Sequence, residues 1–213
     1  MKNRFLSKRY CKDIATPMGK AMDLTHSFDD LINLCLGDPD LITDERIIDA
    51  AFADAKRGYT KYTDVRGDPE LRAEIAKFYD EEYGMKVSDE EIFVTTSGCI
   101  AMHLIMEAIL NDGDEVLIQA PLFTPYIQQV QLSRVNCLLM LVAAITPKTK
   151  ALILNSPSNP TGSCLSLETM QKIAEIVKEH DLVVVADDIY TAFSFQTPFV
   201  PFASLPGMRE HTI

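Results

Sequence analysis

The sequence predicts an α/β fold of three layers, helices on both faces of a mostly parallel sheet. Helical and extended patterns alternate from Thr43 onward. The runs Lys150 to Asn155 (KALILN) and Leu182 to Ala186 (LVVVA) are apolar almost throughout, as strands covered on both faces require. The chain has 213 residues, 47% apolar and 24% charged, enough to bury a sizeable core.

Each element carries its own signal. Asp44 to Arg57 (DERIIDAAFADAKR) repeats apolar residues at helical spacing, and Gly58 follows as a stop. Asp68 caps the next helix, Pro69 suits its first turn, Leu71, Ile75, Phe78 and Tyr79 form its apolar stripe, and Gly84 ends it. Ser88 and Glu91 form a capping-box pair for a short turn. Ile92 to Thr96 (IFVTT), short and rich in β-branched residues, predicts a strand, and after Ser97-Gly98 a helix runs to about Leu110. Glu115 to Ala120 (EVLIQA) is the next strand and Tyr126 to Leu132 the next helix. After the KALILN strand, Ser166 starts a helix over Leu167 to His180, and LVVVA follows as the last strand.

Composition excludes several functions. The net charge of −11 repels a phosphate backbone and an anionic membrane surface, which argues against nucleic-acid and membrane partners. The longest apolar run, Cys137 to Ile145, falls far short of the roughly 20 residues a membrane span needs. The start, MKNRFLSKRYCKD, lacks the apolar core of a secretory signal, so a cytoplasmic location is expected. Cys11, Cys35, Cys99, Cys137 and Cys164 are scattered without a C-x-x-C pair; buried, reduced thiols are the expectation, and no metal site. No two glycines lie closer than Gly58 and Gly67, so neither the dinucleotide fingerprint nor the P-loop is present.

In a parallel sheet, ligands sit beyond the carboxyl ends of the strands. The residues there suit a phosphorylated, cationic aromatic ring. Ser97-Gly98-Cys99 opens a helix whose free amides favour a phosphate, although a tight strand-to-helix turn explains the same residues. Phe123 suits ring stacking or the core. Asp187 follows an apolar strand, where a carboxylate calls for a cationic partner such as a protonated pyridine nitrogen. Tyr190, three residues on, is within reach of the same ring's phenolic oxygen, and Asn159 stands in the turn SNPTG.

Taken together, INLCLGDPD, KYTDVRGDPELR, VTTSGCIAM, GDEVLIQAPLFTPY, NSPSNPTG and VVVADDIY resemble the class I/II aminotransferases, the fold-type I enzymes similar to aspartate aminotransferase that use pyridoxal 5′-phosphate. The resemblance covers nearly the whole chain and is most specific in NSPSNPTG and ADDIY. It implies that Asp187 meets the pyridine nitrogen, that Tyr190 and Asn159 meet the phenolic oxygen, and that Ser97, Gly98 and Cys99 hold the phosphate. Phe123 matches the position that stacks on the ring. Tyr62 matches a tyrosine reaching the phosphate of the neighbouring subunit, which implies a homodimer. Gly37, with Asn159, matches positions near the substrate carboxylate. The implied substrates are an amino acid and a 2-oxo acid.

The resemblance also frames the departures. Residues 1–42 correspond to an N-terminal arm and the start of a small domain, and residues 43–213 to an incomplete cofactor-binding large domain, with the C-terminal small domain absent. The Schiff-base lysine of the family falls downstream of the D-x-x-Y motif and is not in this sequence; Lys148 and Lys150 stand at the wrong end of their strand. An internal deletion is expected between Arg134 and Ala143, removing a strand-like element and leaving an apolar stretch exposed or repacked. Asp188 replaces the commoner Glu, and Cys99 a Thr, Ala or polar residue. The expected activity of a full-length parent is transamination. A carbon–sulfur lyase of the same fold and a catalytically incompetent remnant are the alternatives.

Overall fold

Capping residues set where the helices begin and end. The computed structural model describes residues 4–5, 17–32, 34, 37, 39–139 and 144–213, divided into two compact units, 1–62 and 63–213. The first unit holds α1 (Pro17–Thr25) and α2 (Glu45–Arg57). The Asp44 carboxylate accepts from the Arg46 amide at 2.9 Å to start α2, and Gly58, with φ of 97°, stops it. The apolar residues Ile47 and Phe52 of α2 are exposed.

The second unit begins with α3 (Pro69–Tyr83), capped by Asp68 and ended by left-handed Gly84. The Ser88–Glu91 capping box follows as read. Then come α4 (Gly98–Ile109), β1 (Glu115–Ile118), α5 (Pro125–Leu132), β2 (Asn136–Leu139), β3 (Thr149–Asn155), α6 (Leu167–His180) and β4 (Val183–Asp187). Ser97 and Ser166 start α4 and α6 by accepting from the Ile100 amide at 3.2 Å and the Thr169 amide at 3.1 Å.

The strands pair in parallel in the order β2-β1-β3-β4, the three-layer α/β arrangement the sequence predicts. Successive strand residues face opposite ways. Val116, Ile118, Ala151, Ile153 and Val185 pack against Met102 and Met106 of α4 and Tyr126 and Val130 of α5. Leu117, Leu152, Leu154 and Val184 pack against Met170, Ala174 and Val177 of α6, with Phe202, Leu205 and Met208 closing that layer.

Several expectations are corrected. Residues 92–96 form no strand: the stretch is extended, but its backbone bonds among the described residues are a local one from the Ile92 amide to the Asp89 carbonyl at 3.4 Å and one from the Val94 amide to the Arg66 carbonyl at 2.8 Å, not a ladder. In α3, Leu71 and Phe78 of the expected stripe are exposed, and the buried residue is Arg72, with its guanidinium 3.2 Å from Asp89. The stretch expected to have lost a strand instead supplies β2, because Cys137 and Leu138 add to the two apolar layers. Residues 140–143 of that stretch lie outside the described residues. Cys99 and Cys164 are exposed and Cys137 partly buried, rather than uniformly buried; Cys11 and Cys35 lie outside the described residues.

Gly67 is fixed by both conformation and space. Its φ is +105°, and a Cβ there would stand 2.5 Å from Cβ of Val94. Gly67→Ala is therefore expected to destabilise the fold by about 2–3 kcal/mol, combining backbone strain with an overlap against a β-branched side chain. Urea unfolding measures it, and adding Val94→Ala should recover only the part owed to the Val94 methyl groups, because alanine keeps the Cβ that stands 2.5 Å away. A loss below about 0.5 kcal/mol would contradict the geometry.

Candidate active site

Parallel pairing of β3 with β4 sets Asn155 opposite Asp187 at the carboxyl ends of both strands. Beyond those ends lies a cavity of about 200 Å³. Seven residues singled out from the sequence line it: Ser97, Gly98, Cys99, Phe123, Asn159, Asp187 and Tyr190. Tyr126, Gln129 and Asn155 line it as well. Gly37 and Tyr62 belong to the first unit, where both are exposed.

A chain of hydrogen bonds organises one wall. The Tyr126 hydroxyl donates to Oδ2 of Asp187 at 2.5 Å, and the Ile189 amide to Oδ1 at 3.3 Å. Asn155 donates through Nδ2 to the Asp187 carbonyl at 2.9 Å and accepts through Oδ1 from the Asn159 amide at 2.8 Å. Asn159 in turn donates through Nδ2 to the Tyr190 hydroxyl at 3.1 Å. Accepting that bond leaves Tyr190 free to donate its own proton. The Phe123 ring meets Tyr126 edge-on, centroids 5.4 Å apart.

The opposite wall is the start of α4. Both oxygens of Ser97 are taken up by the Ile100 and Ala101 amides, while the amides of Gly98 and Cys99 have no acceptor among the described residues. A helix start with two free N–H groups and the positive end of the dipole is an anion site in waiting. A Cβ on Gly98 would meet no protein atom within 4 Å, so packing within the protein does not require glycine there. Buried Gln129 of α5 donates to the Cys99 carbonyl at 3.1 Å and braces that turn.

Electrostatics separate the two adjacent acids. Burial, and then the bond to Asp187, push the Tyr126 phenol well above the usual tyrosine range. Burial, and then the neighbouring Asp187 charge, raise Asp188 to about 6. Among the described residues the Asp188 carboxylate has no hydrogen-bond or ion-pair partner.

Residues 29–212 match the family described as aminotransferase class I and II. The chain belongs to this family. It is 36% identical over 209 residues to the putative aminotransferase YugH of Bacillus subtilis, covering 91% of this chain and 54% of that protein. It is 35% identical to the aspartate/prephenate aminotransferase of Thermus thermophilus over 209 residues, with the same two coverages. Among solved structures, Thermus thermophilus aspartate aminotransferase with maleate superimposes with a TM-score of 0.89 at 34% identity, covering 99% of this chain and 59% of that one. The chain thus spans about half the length of the relatives it matches.

Sequence reading of this class I/II aminotransferase chain missed Tyr126, Asn155 and Gln129. Two of them carried a signal. Asn155 is a polar residue closing an apolar strand, and Tyr126 sits one helical turn after Phe123. Gln129 had none, because its partner is a backbone carbonyl thirty residues away.

Two outcomes follow from these charges. Neutral Tyr126 contributes stability that is full below the unfolded tyrosine value near 10 and declines as pH rises above it. In Asp187→Asn the phenol should titrate earlier, read as phenolate absorbance against a Tyr126→Phe reference; an unchanged curve would contradict the contact. Asp188, raised in the folded state, contributes stability that is present below about pH 4 and lost as pH climbs through about 6. Asp188→Asn should therefore be more stable than the parent at pH 7, with the gain vanishing below about pH 4 in thermal melts.

Proposed function

We propose that this chain supplies the cofactor-holding part of a pyridoxal 5′-phosphate-dependent aminotransferase that moves an amino group from an amino acid to a 2-oxo acid. The observation that carries the reading is the donor set of the cavity. A carboxylate stands at one end, hydroxyl and amide donors along one side, and a helix start with two free amides opposite. That pattern fits a cationic ring nitrogen, a ring oxygen and a phosphate on one planar molecule. When bound, such a ring acts as an electron sink for a proton leaving the amino acid's α-carbon.

The residues divide the work. Asp187, held by Tyr126 and Asn155, keeps a proton on the ring nitrogen by offering it a fixed negative charge. Tyr190 and Asn159 donate to the ring oxygen. The amides of Gly98 and Cys99, with the Ser97 turn, hold the phosphate, and Phe123 covers a face of the ring. Gly37, with Asn159, is assigned to the substrate carboxylate and Tyr62 to the phosphate site of a partner subunit in a homodimer. A cytoplasmic setting accords with the acidic composition, and among the described residues no helix is long and apolar enough to cross a membrane. Among the described residues no lysine lines the cavity, so these residues are assigned to holding the cofactor, and turnover to a protein of the relatives' length.

Titration of the chain with pyridoxal 5′-phosphate, followed by circular dichroism induced in the cofactor's absorption band, tests the reading. Saturable binding is expected, weakened about tenfold or more by Asp187→Asn, equivalent to about 1.4 kcal/mol. Borohydride treatment should leave the protein's mass unchanged. No binding by a folded chain sinks the proposal, and a reduced lysine adduct within the cavity overturns the assignment of a purely non-covalent role.

A further inference from the structure

A second cavity, of about 190 Å³, lies on the α6 side of the sheet. The strand residues that line it are Leu154, Ala186 and Asp188, whereas Asn155 and Asp187 line the first cavity. The pleat of β3 and the end of β4 thus send neighbouring residues into these two cavities, while Asp187 and Asp188 both also reach a larger one of about 790 Å³. Met170, Phe199 and Phe202 are among its walls, and Asp188 is the one charged group lining it among the described residues.

Among the described residues no cationic side chain in those walls answers the Asp188 charge. Among the described residues no hydroxyl of the lining is bonded to Asp188: Ser194 donates to the Thr197 carbonyl at 2.7 Å, and Ser156, which accepts through Oγ from the Leu165 amide at 2.9 Å, keeps a proton but carries no charge. The neighbouring Asp187 adds negative potential; on the larger cavity that Asp188 also lines, Tyr79 is a neutral phenol near pH 7 and Arg209 is paired with Glu91. A half-buried carboxylate in a largely apolar recess, with a second carboxylate behind it and no cationic side chain among the described lining residues, favours a cation.

We infer that this second cavity binds a small organic monocation, a primary ammonium on a compact apolar body, with Asp188 as its counter-charge. A dry cavity of roughly 150 Å³ accommodates benzene, so this one has room for a body of about six to eight carbons. The walls offer an amino acid's carboxylate no positive partner, and both acids repel it. The ligand class is therefore an amine without a carboxylate. This site shares no lining residue with the cofactor cavity, and the inference does not depend on the aminotransferase reading.

Benzylammonium is the probe, with benzyl alcohol as its uncharged counterpart of similar shape, titrated at pH 8, where Asp188 is ionised. Methyl resonances of Leu154 and Met170 should shift on addition of benzylammonium, and benzyl alcohol should bind at least tenfold more weakly. Asp188→Asn should abolish that preference, while Asp187→Asn should change it less than threefold, and pyridoxal 5′-phosphate should not displace the probe. Equal binding of the two probes overturns the inference, as does full retention in Asp188→Asn. Loss in Asp187→Asn alone, or displacement by the cofactor, overturns it too, because it would place the amine in the first cavity. The two-probe comparison on the unsubstituted chain decides the matter even if a variant folds poorly.

Discussion

The parallel register of β3 on β4 is the constraint on which the rest depends. It puts Asn155 beside Asp187 at the end of two strands whose preceding residues are almost wholly apolar. A carboxylate there, without partners, would cost several kcal/mol. The structure offsets that cost through Tyr126, reaching across from α5, and through Asn155, which ties the Asp187 backbone to the Asn159 turn. Slipping β4 by one residue on β3 would turn Asp187 toward α6, away from Tyr126, while Asn155 kept its face, and the arrangement would dissolve.

The same pleat explains why two adjacent acids behave so differently. Asp187 faces α5 and receives a hydroxyl and an amide; Asp188 faces the other way and receives neither. Asp188 consequently bears the burial and the repulsion together, and its charged form is disfavoured up to about pH 6. In the sequence the two look interchangeable, and the family resemblance treats the second as a mild replacement of Glu. Structure separates them because side-chain direction along a strand has period two, a difference that composition cannot express.

Much of the fold was legible because it rests on local chemistry. Ser97, Ser166, Asp68, Gly58 and Gly84 start or stop helices through bonds within a few residues of themselves. The apolar strands announced a parallel sheet for the same reason: burial on both faces leaves no room for alternation. What failed was non-local. Residues 92–96 have strand-like composition but no ladder partner among the described residues, and Asn136–Leu139 became a strand because β1 offered it an edge. The site divides likewise: its motif residues were visible, whereas Gln129 and Tyr126 act on groups thirty and sixty-one residues away.

Position 99 shows how backbone and side chain can carry separate loads. By family resemblance a cysteine there is unusual, yet the features of this residue that bear on the proposed phosphate site are its amide, which is free, and its carbonyl, which Gln129 braces. Neither depends on the side chain, and the thiol is exposed rather than packed. The turn needs Ser97 to spend its oxygens on the Ile100 and Ala101 amides, because only then do the next two N–H groups remain for an anion. A substitution at 99 is therefore tolerable so long as Ser97 and Gln129 hold the first turn in place. The specificity of the motif resides in its backbone geometry, which explains how a departure in its letters leaves the proposed chemistry intact.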